Sequence, residues 1–251
     1  MKITKKQQYR AIRPIIRGSS SILASFLCTI LGLFLSSCDL PQPPPDMFYK
    51  FDVMPVGQGP AHLLTADLNL DGNLDLVSAN TKNSTLTILY GKGTGSFDSA
   101  LSLNVAAEPT MSAVGDIDRD GYPDLVVNAR GAKMFLVLQG NGDGTFRKPI
   151  PTRTGKVPLN IILGDFNHDD KLDAAVTLTF ATMELYLGTG EGYFKKGATY
   201  QTGSRSFSGV TQDFNEDGHL DIALAASSSS ASSIRLFMGN GDGTFQNPKR
   251  L

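Results

Sequence analysis

The chain has 251 residues, 23 basic and 24 acidic, and this near-neutral total conceals two parts of opposite character. Lys2, Lys5, Lys6, Arg10, Arg13 and Arg17 are the only charged residues before position 39, which leaves 17 basic against 24 acidic residues, a net of −7, for the remainder. No basic patch follows the leader, which argues against nucleic acid as a partner. The only cysteines, Cys28 and Cys38, come too early to staple anything after them.

The first 21 residues are basic and serine-rich, and Ile22 to Leu35 is a mostly apolar run of 14. A bilayer-spanning helix needs roughly 20 apolar residues, so the run is short for a span and suits the core of a signal peptide. It ends in Leu35-Ser36-Ser37-Cys38, followed by Pro41-Gln42-Pro43-Pro44-Pro45. In these residues the chain resembles a bacterial lipoprotein precursor, which is cut before a cysteine that is then acylated. The resemblance covers residues 1–38 and implies export, with the protein held on a membrane surface of the cell envelope through lipidated Cys38. An uncleaved anchor, or a secretory signal that releases the protein, is the alternative. Residues 39–50 then form a proline-rich, semi-rigid linker.

From residue 51 to 251 one pattern is used four times. Each unit has a short apolar run (Leu63 to Ala66, Ile161 to Gly164), an acidic loop, and a second apolar run such as Leu74 to Ala79 or Ile222 to Ala226. A third run alternates, as in Thr85 to Tyr90, and a glycine-rich turn ending in phenylalanine closes the unit. Runs of four to eight residues bounded by Gly, Asn, Asp and Pro read as strands. The second run is apolar on both faces, as expected of a sheet sandwiched between neighbours. Four short strands per unit of about 49 residues predict an all-β chain, a β-propeller-type array of four blade-like repeats.

The acidic loops begin at Asp67, Asp116, Asp165 and Asp213, spaced 49, 49 and 48 residues apart, and hold 15 of the 24 acids. Carboxylates crowded into nine residues repel one another, and a cation with many oxygen ligands relieves that cost. Calcium accepts six to eight oxygens in flexible geometry, whereas magnesium keeps its waters. In the first loop Asp67, Asn69 and Asp71 would ligate through side chains, Asn73 through its carbonyl and Asp75 through its carboxylate. Gly72 permits the positive φ that folds the loop back.

The EF-hand shares the first half of this pattern but requires a glutamate at its twelfth position. Those positions are Ser78, Val127, Val176 and Leu224, and the ninth is aspartate in every copy, so the EF-hand is excluded. With the glycine turns Gly91 to Phe97, Gly140 to Phe146, Gly188 to Phe194 and Gly239 to Phe245, the loops resemble FG-GAP or VCBS repeats, the type that builds the integrin α-subunit propeller. The resemblance covers about residues 51–251 and implies a calcium-binding propeller with up to four ions and a role in adhesion or recognition. It carries over the second site as Asp116, Asp118, Asp120, the carbonyl of Tyr122 and Asp124. The third site becomes Asp165, Asn167, Asp169, the carbonyl of Lys171 and Asp173, and the fourth Asp213, Asn215, Asp217, the carbonyl of His219 and Asp221. Asp170 stands where glycine is expected, so the third site should be the weakest or most distorted.

No residue is nominated for catalysis. The Gly-x-Gly-x-Gly stretches are read as turns because a nucleotide fingerprint must open a helix. Ser204 to Gly209 lacks the spacing of a nucleophile elbow. His62, His168 and His219 look too scattered for a zinc site. Phe245 to Leu251 reads as the opening of a further unit and competes with Phe51 to Val56 for the edge of the last one. An open arc or a truncated propeller is therefore expected over a closed ring. The reading is a non-enzymatic, calcium-binding envelope protein that presents a recognition surface to a protein or glycan ligand, with a lectin-like or accessory domain of a hydrolase system as the alternative.

Overall fold

The computed structural model describes residues 53–98, 100–227 and 232–250. The chain divides into the units Met1–Val53 and Met54–Leu251, and the second is described here. The signal-type leader, Cys38 and the proline-rich linker lie outside the described residues.

Every element in the described residues is a strand, and the strands form four antiparallel four-stranded sheets, or blades. Blade 1 is β1 (Pro60–Ala66), β2 (Asp75–Asn80), β3 (Thr85–Leu89) and β4 (Leu101–Asn104). Blade 2 is β5 (Pro109–Gly115), β6 (Asp124–Ala129), β7 (Met134–Leu138) and β8 (Ile150–Arg153). Blade 3 is β9 (Pro158–Gly164), β10 (Asp173–Leu178), β11 (Thr182–Gly188) and β12 (Phe194–Gln201). Blade 4 is β13 (Arg205–Gln212), β14 (Asp221–Ser227), β15 (Ser232–Phe237) and β16 (Lys249–Arg250). Within each blade the spatial order follows the chain order, so each acidic loop joins a first strand to a second at one end of its blade.

The competition for the last edge is decided for the C-terminal segment: Lys249 and Arg250 pair with Leu236 and Arg235. Lys249–Arg250 is thus the outer strand of blade 4, and Phe245 bridges to Gly239 at its turn.

Alternation places successive side chains on opposite faces, and each face of an inner blade is buried by a neighbour. Val77, Ala79, Leu86 and Ile88 of blade 1 meet Leu125, Val127, Leu136 and Leu138 of blade 2. Val126, Phe135 and Val137 meet Ile161, Val176, Leu178 and Tyr186 of blade 3. Ile162, Ala175, Met183 and Leu185 meet Ile222, Leu224 and Phe237 of blade 4. These three interfaces are the core. Each blade therefore has a forward face, toward the next blade, and a backward face.

Blade 1 differs on its backward face. Where blade 2 places Val127 and Leu136, blade 1 has Ser78 and Thr87, with Asn80 and Thr85 beside them, all buried. The Asn80 amide donates to the hydroxyls of Thr85 (3.2 Å) and Thr87 (2.9 Å), and Ser78 donates to Asn80 (3.0 Å). Residues 57–59 lie across this polar face: the Gly57 amide donates to Thr87 (3.2 Å), and Gly59 accepts from the amide of Thr81 (2.9 Å). A side chain at Gly57 would fall 2.6 Å from the Asn80 amide nitrogen, so only glycine fits at this point of the strap. Polar outer faces of this kind are what terminal repeats use as caps.

Candidate functional site

The four loops share one geometry. The amide of the sixth residue donates to the first aspartate in each: Gly72 to Asp67 (2.9 Å), Gly121 to Asp116 (3.0 Å), Asp170 to Asp165 (2.9 Å) and Gly218 to Asp213 (2.9 Å). The seventh residue's amide donates to the fifth, from Asn73, Tyr122, Lys171 and His219 to Asp71, Asp120, Asp169 and Asp217. These bonds aim the carboxylates of the first and fifth residues inward. The amide to Asp71 draws its carboxyl below the usual range, and the His219 amide does the same for Asp217.

The expected distortion of the third loop does not occur. Asp170 adopts φ 60°, in the left-handed region where the other loops place Gly72 (87°), Gly121 (87°) and Gly218 (89°), and keeps the same hydrogen bond. The loop carries a competitor instead: Lys171 Nζ lies 3.1 Å from Asp169 Oδ2. All four loops also place a non-glycine residue at φ near 60° in the fourth position: Leu70, Arg119, His168 and Glu216.

The ninth-position aspartates are fully buried. In each, Oδ2 accepts from the loop's second amide, those of Leu68 (2.9 Å), Ile117 (2.9 Å), Phe166 (3.1 Å) and Phe214 (3.0 Å). Oδ1 accepts at 2.8 Å from the first glycine of the blade's turn, Gly91, Gly140, Gly188 or Gly239. Asp75, Asp124, Asp173 and Asp221 therefore fasten loop to turn. Burial pushes the carboxyls of Asp124 and Asp173 up to about 6, and the neighbouring loop carboxylates add to the effect.

The donor set fits a hard cation. Among the described residues, Asp116, Asp118 and Asp120 bring carboxylate oxygens within 4.8 Å of one another. Asp116 Oδ1 is buried without a hydrogen-bond partner, a lone pair that a cation would satisfy. Burial, and then the charge of Asp120, raise the carboxyl of Asp118. This loop has a third carboxylate where the others have Asn69, Asn167 and Asn215, and an arginine has come with it. Arg147 bridges Asp118 Oδ2 and Asp120 Oδ2, each at 3.2 Å, and Gln139 donates to Asp118 (2.5 Å).

The glycine stretches are turns, with positive φ at Gly93, Gly95, Gly142, Gly144, Gly190, Gly192, Gly241 and Gly243. The histidines are less scattered than the sequence implies. His168 Nε2 and His219 Nδ1 lie 2.9 Å apart, because the fourth position of one loop faces the seventh position of the next.

At the opposite end of the blades a groove of about 610 Å³ is lined by Phe180, Ala181, Gly203, Ser204, Arg205, Phe207 and Ser227. Phe180 and Ala181 turn the β10–β11 hairpin with φ of 65° and 55°, a conformation that glycine and asparagine adopt far more easily. Phe180 and Phe207 are both exposed. Sequence reasoning did not find this groove, since its walls come from a hairpin tip and an inter-blade link. The available signal was an aromatic residue in a turn that normally takes glycine.

Four twisted sheets joined in this way define a β-propeller-type blade array. Residues 67–127, 116–176 and 165–224 each match the FG-GAP-like repeat, covering more than half of the sequence, and the chain belongs to that family. No curated protein sequence matches it. Among solved structures it is similar to BBS1N, crystallised in complex with ARL6DN (TM-score 0.54, 14% identity), over 81% of this chain and 57% of that one. A lectin of Agrocybe aegerita, whose structure concerns recognition of non-reducing terminal N-acetylglucosamine, gives a TM-score of 0.48 at 16% identity, over 76% of this chain and 66% of that one. The chain thus spans little more than half the length of BBS1N, and the likeness is one of fold.

Proposed function

We propose that the chain is a non-enzymatic recognition module whose acidic loops bind calcium and whose ligand-binding surface is the groove between the hairpin tip of blade 3 and the start of blade 4. The observation that carries the proposal is the exposed pair Phe180 and Phe207 beside Arg205, held partly by a hairpin in an unfavourable conformation. Strained backbone persists where the surroundings enforce it and gathers at binding sites. Aromatic faces with a cation at the rim suit a peptide segment or a sugar ring. Protein is the favoured ligand, supported by the crystallised complex of BBS1N with ARL6DN.

Calcium's part is structural. Asp67, Asn69, Asp71, the carbonyl of Asn73 and Asp75, with their counterparts in the other loops, would hold the ion and keep the blade end in shape. The leader's resemblance to a lipoprotein precursor supports a module held on the envelope surface through a lipidated Cys38. The test is capture of envelope proteins and a glycan screen, each in calcium, with Phe180→Ala and Phe207→Ala variants. Loss of the captured ligand in both variants is expected. Undiminished capture would move the binding surface elsewhere, and a signal confined to glycans would favour the lectin-like reading.

A further inference from the structure

The end of the blades opposite the acidic loops carries the hairpins between second and third strands and the links between blades. On those segments, and at the strand ends beside them, stand Lys82, Arg130, Lys133, Arg153, Lys156 and Arg205. Among the described residues Glu108 is the one acid there, and it is exposed. The cations are scattered along the sequence and form no local run, so only the strand topology gathers them. One end of the molecule is thus acidic and the other basic, and each attracts ligands of opposite charge.

At this basic end, residues of all four blades line a depression of about 230 Å³: Ala61, Thr110, Leu159 and Phe207, with Arg130 beside them. The first four are equivalent, each standing six residues before the first aspartate of its loop on the first strand of its blade. Ala61, Leu159 and Phe207 are each skipped in the pairing of first with second strand, and Thr110 lies in the matching irregularity of β5. Such bulges re-aim a side chain out of the regular alternation. The blades therefore turn one residue each toward a common hollow, and the β6–β7 hairpin adds Arg130. Two polar atoms there are buried without a hydrogen-bond partner, Thr110 Oγ1 and Arg130 Nε. Among the described residues the Arg130 side chain forms no ion pair either.

A guanidinium held partly out of water without a partner is costly until a ligand completes it. Nε and the adjacent amino group offer two parallel donors at the spacing of a carboxylate's oxygens, and the Thr110 hydroxyl can give a third. The remaining wall, Ala61, Leu159 and Phe207, is apolar and suits the hydrocarbon that carries such a group. A phosphate, with more charged oxygens to satisfy, would turn some of them toward that wall. We infer that Arg130 and Thr110 form a binding site for a carboxylate of the peptide ligand, on an acidic side chain or at a chain terminus. This rests on the proposed groove and extends it. Phe207 lines both the groove and the depression, and Arg130 and Thr110 also line a second hollow that holds Lys82. The ligand is then an acidic segment, with apolar residues in the groove and its carboxylate on Arg130.

The test is fluorescence anisotropy on the full-length chain in calcium, with labelled octapeptides alternating phenylalanine with glutamate or with glutamine. Each is made with a free and an amidated C-terminus, so that side-chain and terminal carboxylates are read apart. The glutamate form, or the free terminus, should bind at least about tenfold more tightly than the amidated glutamine form. Arg130→Gln should bring all forms to one affinity, and Thr110→Val should narrow the difference. Lys133→Gln, on the same hairpin but outside the depression, should leave the difference in place. Phe180→Ala should weaken every peptide alike, so failure of the groove and failure of the carboxylate site read differently. Melting temperatures confirm that the variants fold. Equal binding of all forms, no binding, or a preference that survives Arg130→Gln would overturn the inference. A labelled single-stranded oligonucleotide that binds more tightly than any peptide and depends on Arg130 would overturn it in favour of phosphate.

Discussion

Two loops differ from the rest by single residues, and each difference predicts a measurable shift. Asp170 holds a left-handed φ that its glycine counterparts adopt without steric cost. Asp170→Gly should therefore stabilise the protein in chelator by up to about 1 kcal/mol, read by denaturant melts, while keeping the amide bond to Asp165. A destabilised variant would mean that the aspartate side chain contributes more than its backbone costs. In the second loop, Arg147 sits where a cation would neutralise Asp118 and Asp120. Its removal should have effects of opposite sign in the two states. Arg147→Gln should destabilise the chelated protein by about 0.5–1 kcal/mol, the usual worth of a partly exposed ion pair. It should also tighten calcium binding at one site, read by titration calorimetry. A variant with unchanged calcium affinity would show that the guanidinium does not compete with the ion.

The same fastening recurs in every blade: a buried aspartate joins the acidic loop to the first glycine of the turn. A β-carbon on Gly91, Gly140, Gly188 or Gly239 would lie 2.2–2.4 Å from the carbonyl oxygen of the loop's eighth residue, a backbone atom that cannot step aside. Gly188→Ala should cost several kcal/mol and lower calcium affinity at the third site, whereas Gly155→Ala, with open space around it but positive φ, should cost about 1 kcal/mol. Equal losses at the two positions would remove the fastening from the account. The sequence shows much of this architecture. Repeated loops, glycine turns and strand-length runs give the inner strands to within about three residues, because each is a local pattern repeated at a fixed period. Contacts between blades are less visible. The His168–His219 approach, the Arg147 bridge and the Phe180–Phe207 groove depend on how one blade meets the next or how a turn folds back, and no local periodicity encodes them. The polar cap on blade 1 was present in the sequence as Ser78, Asn80, Thr85 and Thr87, but its meaning emerges only when the face it lines is known.

For the whole molecule, the proposed calcium binding would be linked to pH through the buried aspartates. Asp124 and Asp173 have carboxyls raised to about 6, above the ordinary value of 3.8. A raised carboxyl contributes stability that is present below the ordinary value and lost as pH climbs through about 6. The chelated protein should therefore weaken between pH 4 and 7, while bound calcium favours the ionised carboxylates and offsets that loss. Below pH 4 the exposed Asp71, Asp217 and Asp242, whose carboxyls lie below the usual range, lose their contribution instead. One binding site filled at about 100 times its dissociation constant adds about 2.7 kcal/mol, so four filled sites would rival the stability of an ordinary domain. The decisive measurement is a melting scan of the full-length chain in millimolar calcium and in chelator, at pH 5 and at pH 7. The account predicts a melting point raised by roughly 20–40 °C in calcium at pH 7, at about 2–4 °C per kcal/mol, and a smaller rise at pH 5. Identical melting with and without calcium at both pH values would contradict it.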